Sequence, residues 1–355
     1  MAALPYCWGS TAASFLELWF RLSIHGHEPR KRRQGGLLCY ALQQRSRRNL
    51  SICHQNPSQK IMKIIAIALF FLATSSCLRM DRNVFNNLAC EEYLWDNAPI
   101  DAYYKLDSTY DIAPENRYLF SLKSDNLGDT ATIYAVYLGD TSRIDEDTVI
   151  VYTHGNASNM DYYYQRTKML ANLGHKHRYG VLMMDYRSYG KSTGNPTEEN
   201  MYADVKACLQ WLSDRGLTNR RTIFYGFSLG TAPACKLAHC SCSPLTPQKV
   251  ILEAPFAGTD VMANDGSGLN MPASFFGDTK LNNAEQVKSI KQPLMWIHGT
   301  ADNYLSYKTH GEVVWRNYSG TGGKAVPVIG AGHETVPYIM GVKSYCDTLL
   351  NFIEK

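Results

Sequence analysis

No Cys-x-x-Cys pair occurs among the ten cysteines of this 355-residue chain. Zinc ribbons and dithiol redox motifs use that spacing, so its absence argues against both. His239-Cys240-Ser241-Cys242 gathers soft ligands, but no second ligand pair stands at zinc spacing. Free or singly paired surface cysteines are therefore expected, with no metal and no cofactor. An apolar run of about 20 residues, the length of a membrane-spanning helix, is also missing. Internal repeats and low-complexity linkers are absent as well, which excludes a repeat array. A basic surface is the last thing lacking from most of the chain. The formal charge of +4 is uneven: residues 1–61 hold nine Lys and Arg against two Asp and Glu, leaving 27 basic and 30 acidic residues in the remainder. That remainder gives no reason to expect nucleic acid.

Residues 1–61 show no sustained helical or strand period. Arg30-Lys31-Arg32-Arg33 fits an unstructured basic leader better than a nuclear or anionic-surface patch, because so short a basic run has little specificity. At Met62 the pattern changes. Met62-Lys63 precedes ten apolar residues at 64–73, then Thr74-Ser75-Ser76 and Cys77. A positive start, a short apolar stretch and a small-residue exit describe a secretory signal peptide. Small residues before a cysteine also resemble a bacterial lipoprotein signal, although Thr74 stands where that signal usually carries leucine. The expectation is an exported, cell-envelope or membrane-anchored protein attached through a lipidated Cys77, or otherwise a secreted one. Since a signal belongs at an N-terminus, translation is expected to begin at Met62, with 1–61 an upstream extension. N-terminal sequencing of the natural protein checks this.

From residue 78 to 355 a single domain is expected. Strand-like and helix-like stretches alternate from about residue 90, the pattern of an α/β domain with a mostly parallel sheet of about eight strands and helices on both faces. Strands are expected at 118–122, 131–137, 148–153, 181–185, 222–225, 250–252, 294–297 and 325–329, the first two as an antiparallel pair. Helices are expected over 162–173, 198–212, 231–238 and 337–353. Met201, Val205, Cys208 and Leu212 share one face of the second. The stretch 253–291, with Asn264-Asp265-Gly266-Ser267-Gly268, shows little periodicity. It reads as a short loop and leaves no room for a large cap domain.

The strongest motif is Tyr225-Gly226-Phe227-Ser228-Leu229-Gly230. A Gly-x-Ser-x-Gly segment between a strand and a helix has the form of a nucleophile elbow, a turn so tight that side chains flanking the serine by two residues should collide. A serine hydroxyl is a poor nucleophile at neutral pH, so it needs a base and an acid to hold that base. Gly330-Ala331-Gly332-His333 and Ile297-His298-Gly299-Thr300-Ala301-Asp302 each follow a strand, and they complete the order Ser228, Asp302, His333. Glu253 and Asp260 are the alternative positions for the acid.

With these residues the chain from about 90 to 355 resembles α/β-hydrolase-fold serine hydrolases, in the lidless group of esterases and acyl-thioesterases. The resemblance implies that Thr153-His154-Gly155-Asn156-Ala157 is the oxyanion loop, with the backbone N–H groups of Asn156 and Leu229 receiving the developing charge. Asp185-Tyr186-Arg187-Ser188-Tyr189-Gly190 resembles a family run that has glycine where Ser188 stands, a departure that touches loop conformation and not chemistry. Glu253-Ala254-Pro255-Phe256 resembles the segment after the sixth strand.

The implied function is cleavage of a small-molecule ester or thioester through an acyl-enzyme. His154, His298 and Asp185 read as structural. Tyr162, Tyr163, Tyr164, Phe256, Phe275 and Phe276 read equally as an acyl pocket or as packing. The rivals are a non-catalytic binding module on the same fold and a small peptidase or amidase, for which the chain has no propeller or substrate domain. Dehalogenase chemistry is disfavoured because that elbow carries Asp in place of Ser228.

Overall fold

A computed structural model describes residues 84–101, 104–173, 179–267 and 279–355. The expected leader 1–61, the signal 62–77 with Cys77, and Gly268, Phe275 and Phe276 lie outside the described residues.

Eight strands form one sheet in the order β1-β2-β4-β3-β5-β6-β7-β8. They are β1 (Arg117–Asn126), β2 (Asp129–Leu138), β3 (Val149–Thr153), β4 (Gly180–Met184), β5 (Thr222–Phe227), β6 (Lys249–Glu253), β7 (Leu294–Gly299) and β8 (Lys324–Val328). The β2 strand pairs antiparallel with β1 and with β4, and every other pairing is parallel. Eight helices accompany them among the described residues: α1 (Met160–Ala171), α2 (Glu198–Ser213), α3 (Thr231–His239), α4 (Thr259–Ser267), α5 (Asn283–Gln286), α6 (Glu312–Asn317), α7 (Val336–Met340) and α8 (Val342–Glu354).

The central strands β3 to β7 are buried along their whole length. Their side chains alternate between two cores, because successive Cβ atoms point to opposite faces. Val149, Val151, Phe224, Val250, Leu252 and Trp296 meet α2 and α3 on one face. On the other, Ile150, Tyr152, Ile223, Ile251 and Ile297 meet α1 and α8. All four residues expected on the inner face of α2 are buried. This helix starts where Thr197 accepts the Asn200 N–H at 3.1 Å, with Glu198 and Glu199 favourably placed in the positive first turn.

The expected strands and the first three helices appear within a few residues of their readings. Three things differ. The closing helix is broken into α7 and α8 at Gly341, whose φ of +79° takes the chain out of the helical region. The stretch 253–291 contains α4 and α5, elements too short for their period to register in the sequence. Between β7 and β8 the chain forms a π-helical turn, Tyr307–Gly311, followed by α6, neither of which was anticipated. Cys240 and Cys242 are joined in a disulfide.

The topology locates the site. From β3 the chain moves to β4 on one side, then returns to β5 on the other. The carboxyl ends of β3 and β5 thus flank a switch point, where open α/β sheets leave a crevice for ligands.

Candidate active site

Ser228 follows β5 at that crevice with φ of +51°, a left-handed conformation rare outside glycine, and the turn Ser228–Gly230 feeds directly into α3. Both elbow glycines are required, for different reasons. A Cβ on Gly226 would stand 2.6 Å from the Gly230 carbonyl oxygen, a clash within the elbow. On Gly230 it would stand 1.9 Å from the Thr153 carbonyl oxygen, so that glycine admits the neighbouring strand β3 and does not merely avoid a side chain across the turn. The Thr153 hydroxyl donates to the Gly230 carbonyl at 2.7 Å and clamps elbow to strand.

The loops after β7 and β8 interlock. Ala301 N–H donates to Ala331 O at 2.9 Å, and Gly330 N–H to Thr300 Oγ1 at 3.0 Å. A Cβ on Gly299 would meet Ala331 O at 2.2 Å, so these backbones pass as closely as glycine permits. The result brings Asp302 and His333 together. His333 Nδ1 lies 2.8 Å from Asp302 Oδ2, and His333 Nε2 lies 2.9 Å from Ser228 Oγ. A carboxylate only accepts, so Nδ1 carries the proton and Nε2 turns its lone pair to the serine hydroxyl. Asp302 Oδ1 accepts the Tyr304 and Leu305 N–H groups at 2.9 and 2.8 Å. Burial by itself would raise the Asp302 pKa. Hydrogen bonds from His298 and His333, the charge of His333 and the Leu305 amide outweigh it and hold the carboxyl well below the ordinary range.

Glu253, an alternative acid, is committed elsewhere. Fully buried, it pairs with Arg166 at 2.9 Å and accepts the hydroxyls of Tyr225 and, at 2.7 Å, Tyr345. Asp260 sits in the first turn of α4. Arg166 also donates to the Glu334 carbonyl at 2.8 Å and lies 4.4 Å over the Phe227 ring, tying α1 to the loop that carries His333. Removing one partner of a buried ion pair leaves the other uncompensated. Glu253→Leu is therefore expected to cost about 3–5 kcal/mol, measured by chemical denaturation.

Asn156 lies in the loop just past the end of β3. Its Oδ1 accepts the Asn86 N–H at 2.7 Å and the Tyr189 hydroxyl at 2.9 Å. Leu229 lies in the first turn entering α3, where backbone N–H groups have no preceding carbonyl within the helix. A strap at residues 84–97, with no periodic signature in the sequence, is laced across the loop after β3 and the loop after β4. Leu88 N–H donates to Ser158 O and Cys90 N–H to Gly190 O, both at 3.0 Å, and Gly190 N–H returns to Leu88 O at 2.9 Å. Tyr304 was also missed. Two residues past Asp302, its ring centroid lies 5.1 Å from that of His333.

Two of the residues read as structural, Asp185 and His154, are enclosed by the packing around the crevice. Asp185 is fully buried and accepts the Tyr93 hydroxyl at 2.7 Å. His154 packs among Tyr163, Tyr186 and Tyr189. Ser188 has φ of +67°, the conformation its glycine counterpart adopts freely. Of the aromatic residues considered for a pocket, Tyr162 and Tyr163 line a shallow cleft with Ile100, Arg166, Glu334 and Tyr338. Tyr164 packs against Trp95, and Phe256 belongs to the core.

Comparison with known proteins agrees with this architecture. A family model described as the alpha/beta hydrolase fold matches residues 148–286. The alpha/beta hydrolase domain-containing protein aho-3 of Caenorhabditis elegans is 31% identical over 203 residues, which cover 56% of this chain and 57% of the relative. The alpha/beta hydrolase domain-containing protein 17B of Homo sapiens is 30% identical over 197 residues, covering 53% and 60% respectively. The chain thus spans about three-fifths of the length of these curated relatives. Among solved structures, the Pyrococcus furiosus esterase Pf2001 superposes with a TM-score of 0.52 at 20% identity, over 67% of this chain and 92% of that one, a likeness of fold.

Proposed function

The chain is an α/β-hydrolase-fold protein, and from that premise we propose that it is a serine hydrolase cleaving an ester or thioester through an acyl-enzyme. One observation carries the reading: Ser228 Oγ, His333 and Asp302 stand in unbroken hydrogen-bond contact at the switch point of the sheet. In this mechanism His333 Nε2 takes the hydroxyl proton as Ser228 Oγ bonds to the acyl carbon and the carbonyl π electrons move onto oxygen. The N–H groups of Asn156 and Leu229 receive that oxyanion, each donor lowering the barrier by about 3–4 kcal/mol. Collapse expels the leaving group, which takes its proton from His333. Water then attacks the acyl-enzyme by the same path and frees the acid. Asp302 keeps the imidazole in its Nδ1–H form and stabilises the imidazolium. The substrate is a small acyl compound. Attachment to a membrane through a lipidated Cys77 belongs to the same proposal and rests on the sequence of residues 62–77. Among the described residues no helix is long and apolar enough to cross a membrane.

The test is the intact mass of the natural protein before and after a fluorophosphonate probe. A single adduct mapped to Ser228 supports an activated serine. A folded protein that takes no adduct overturns the reading in favour of a binding module. The same spectrum reveals whether the mature chain begins at a lipidated Cys77.

A further inference from the structure

Beyond the serine, the base and the acid, a second imidazole reaches the carboxylate. His298 is fully buried near the end of β7, four residues before Asp302. Its Nε2 lies 3.2 Å from Asp302 Oδ2, the same oxygen that accepts from His333, and 2.9 Å from the Leu305 carbonyl. Both neighbours are acceptors, so Nε2 carries the proton and Nδ1 is the bare nitrogen. The packing agrees. Nδ1 has no hydrogen-bond partner and faces Gly311 in the π-helical turn, where even a Cβ would approach it to 2.0 Å. The ring is thus held from both sides, with its one N–H aimed between the carboxylate and the carbonyl of the acid loop.

We infer that His298 is a positioning residue for catalysis: it fixes the Asp302 carboxylate and, by donating to Oδ2, moderates the negative potential felt by His333. The inference rests on the proposed roles of Ser228, His333 and Asp302. Asp302 has a full set of partners. Two backbone N–H groups hold Oδ1, and two imidazoles share Oδ2. Without the His298 donor the carboxylate has one rotational restraint fewer and a less compensated charge. The carboxylate is then held less firmly against His333, and the charge it presents to the imidazolium of the reaction is altered.

Other ionisable groups surround the pair. Tyr304 and His310 face Asp302 from the acid loop and the π-helical turn, with Asp265 of α4 3.4 Å from His310. Glu334 adjoins His333 in sequence and accepts from the Tyr162 hydroxyl. Arg166 and Glu253, paired with each other, lie beyond Phe227. All of these remain unchanged when only His298 is replaced.

The experiment is the pH dependence of fluorophosphonate labelling at Ser228 for the natural protein, His298→Leu and His298→Gln. Leucine removes the donor at similar volume, whereas the glutamine amide can place an N–H near the position of Nε2. The leucine variant is expected to label about ten- to a hundredfold more slowly at neutral pH, the effect of losing a hydrogen bond to a charged group. The acid limb of its labelling profile should move away from that of the natural protein. Glutamine should restore the natural limb and most of the rate. Natural rates and an unmoved limb in a folded leucine variant overturn the inference, as does a glutamine variant no better than leucine. If the natural protein itself fails to label, the serine hydrolase reading has failed instead. If His298→Leu does not fold, ¹⁵N spectra of the natural protein decide: protonated Nε2 with bare Nδ1 supports the inference, and the opposite tautomer overturns it.

Discussion

Ser228→Ala is expected to abolish measurable turnover, with a loss on the order of a millionfold in kcat, because a nucleophile and its base act as a unit and deleting either removes nearly the whole gain. What remains comes from oxyanion stabilisation and substrate positioning, which the substitution leaves alone. Folding should survive. The side chain is small, it sits at the crevice, and its His333 contact is one hydrogen bond of ordinary length. The φ of +51° strains alanine as it does serine, so the cost of the elbow is unchanged. The melting temperature should therefore stay within about 3 °C, as a change of under 1 kcal/mol implies for a domain of this size. Turnover of a p-nitrophenyl ester and a thermal melt check both halves. Retention of even a few per cent of the natural kcat would remove Ser228 from the mechanism.

Asp302→Asn should lose about 10⁴-fold in kcat through a tautomer change. The Tyr304 and Leu305 amides require an acceptor at Oδ1, so the new side chain turns its oxygen toward them and its NH₂ toward His333. Facing a donor, His333 Nδ1 becomes the bare nitrogen, and Nε2 carries a proton toward Ser228 that prevents it from acting as a base. His298 Nε2–H meets the same NH₂ at the Oδ2 position, so a donor there faces a donor. Stability against pH changes in step. The carboxyl pKa is depressed in the folded state, so its contribution is fully present above the unfolded value of about 3.9 and is lost as pH falls from there toward the folded pKa. The natural protein should therefore lose stability more steeply than Asp302→Asn below about pH 4. Parallel acid titrations followed by circular dichroism measure the difference, and coincident curves would exclude a stabilising role for the charge.

How much of this was readable in the chain depended on the range of the interaction. Glycine spacing around Ser228 reports a local backbone requirement, and the buried strands report themselves as continuous apolar runs. The order of serine, acid and base could be aligned with strand ends because each residue closely follows its strand. The reason for Gly230 was not readable, since its obstacle is Thr153, a residue 77 positions earlier. Nor was the commitment of Glu253, which depends on Arg166 and Tyr345 arriving from α1 and α8. His298 looked like a loop-shaping residue because the sequence cannot show which oxygen of Asp302 its nitrogen approaches. Helices α4 to α6 are held by contacts more than by periodicity. A nine-residue helix such as α4 leaves too few turns for an apolar stripe.

The strap over the loop after β3 has a consequence for the order in which the molecule assembles. Its first hydrogen bond, Asn86 to Asn156, spans 70 residues, and Cys90 reaches Gly190 across a hundred. Such contacts form only after the sheet has brought distant segments together, because the loop-closure entropy must first be offset. Reactivity at Ser228 is expected to appear as a late kinetic phase of refolding, after the far-ultraviolet signal has returned. In the native state the same segment is held by strand-like backbone bonds to Ser158 and Gly190 and by side-chain bonds to Asn156, Asp161 and Asp185, most of them at the surface or only partly buried. Its amides should exchange with solvent at lower free energy than those of β5. Mild denaturant would then silence the protein while its sheet remains intact, and the fraction labelled at Ser228 would report the opening of residues 84–97.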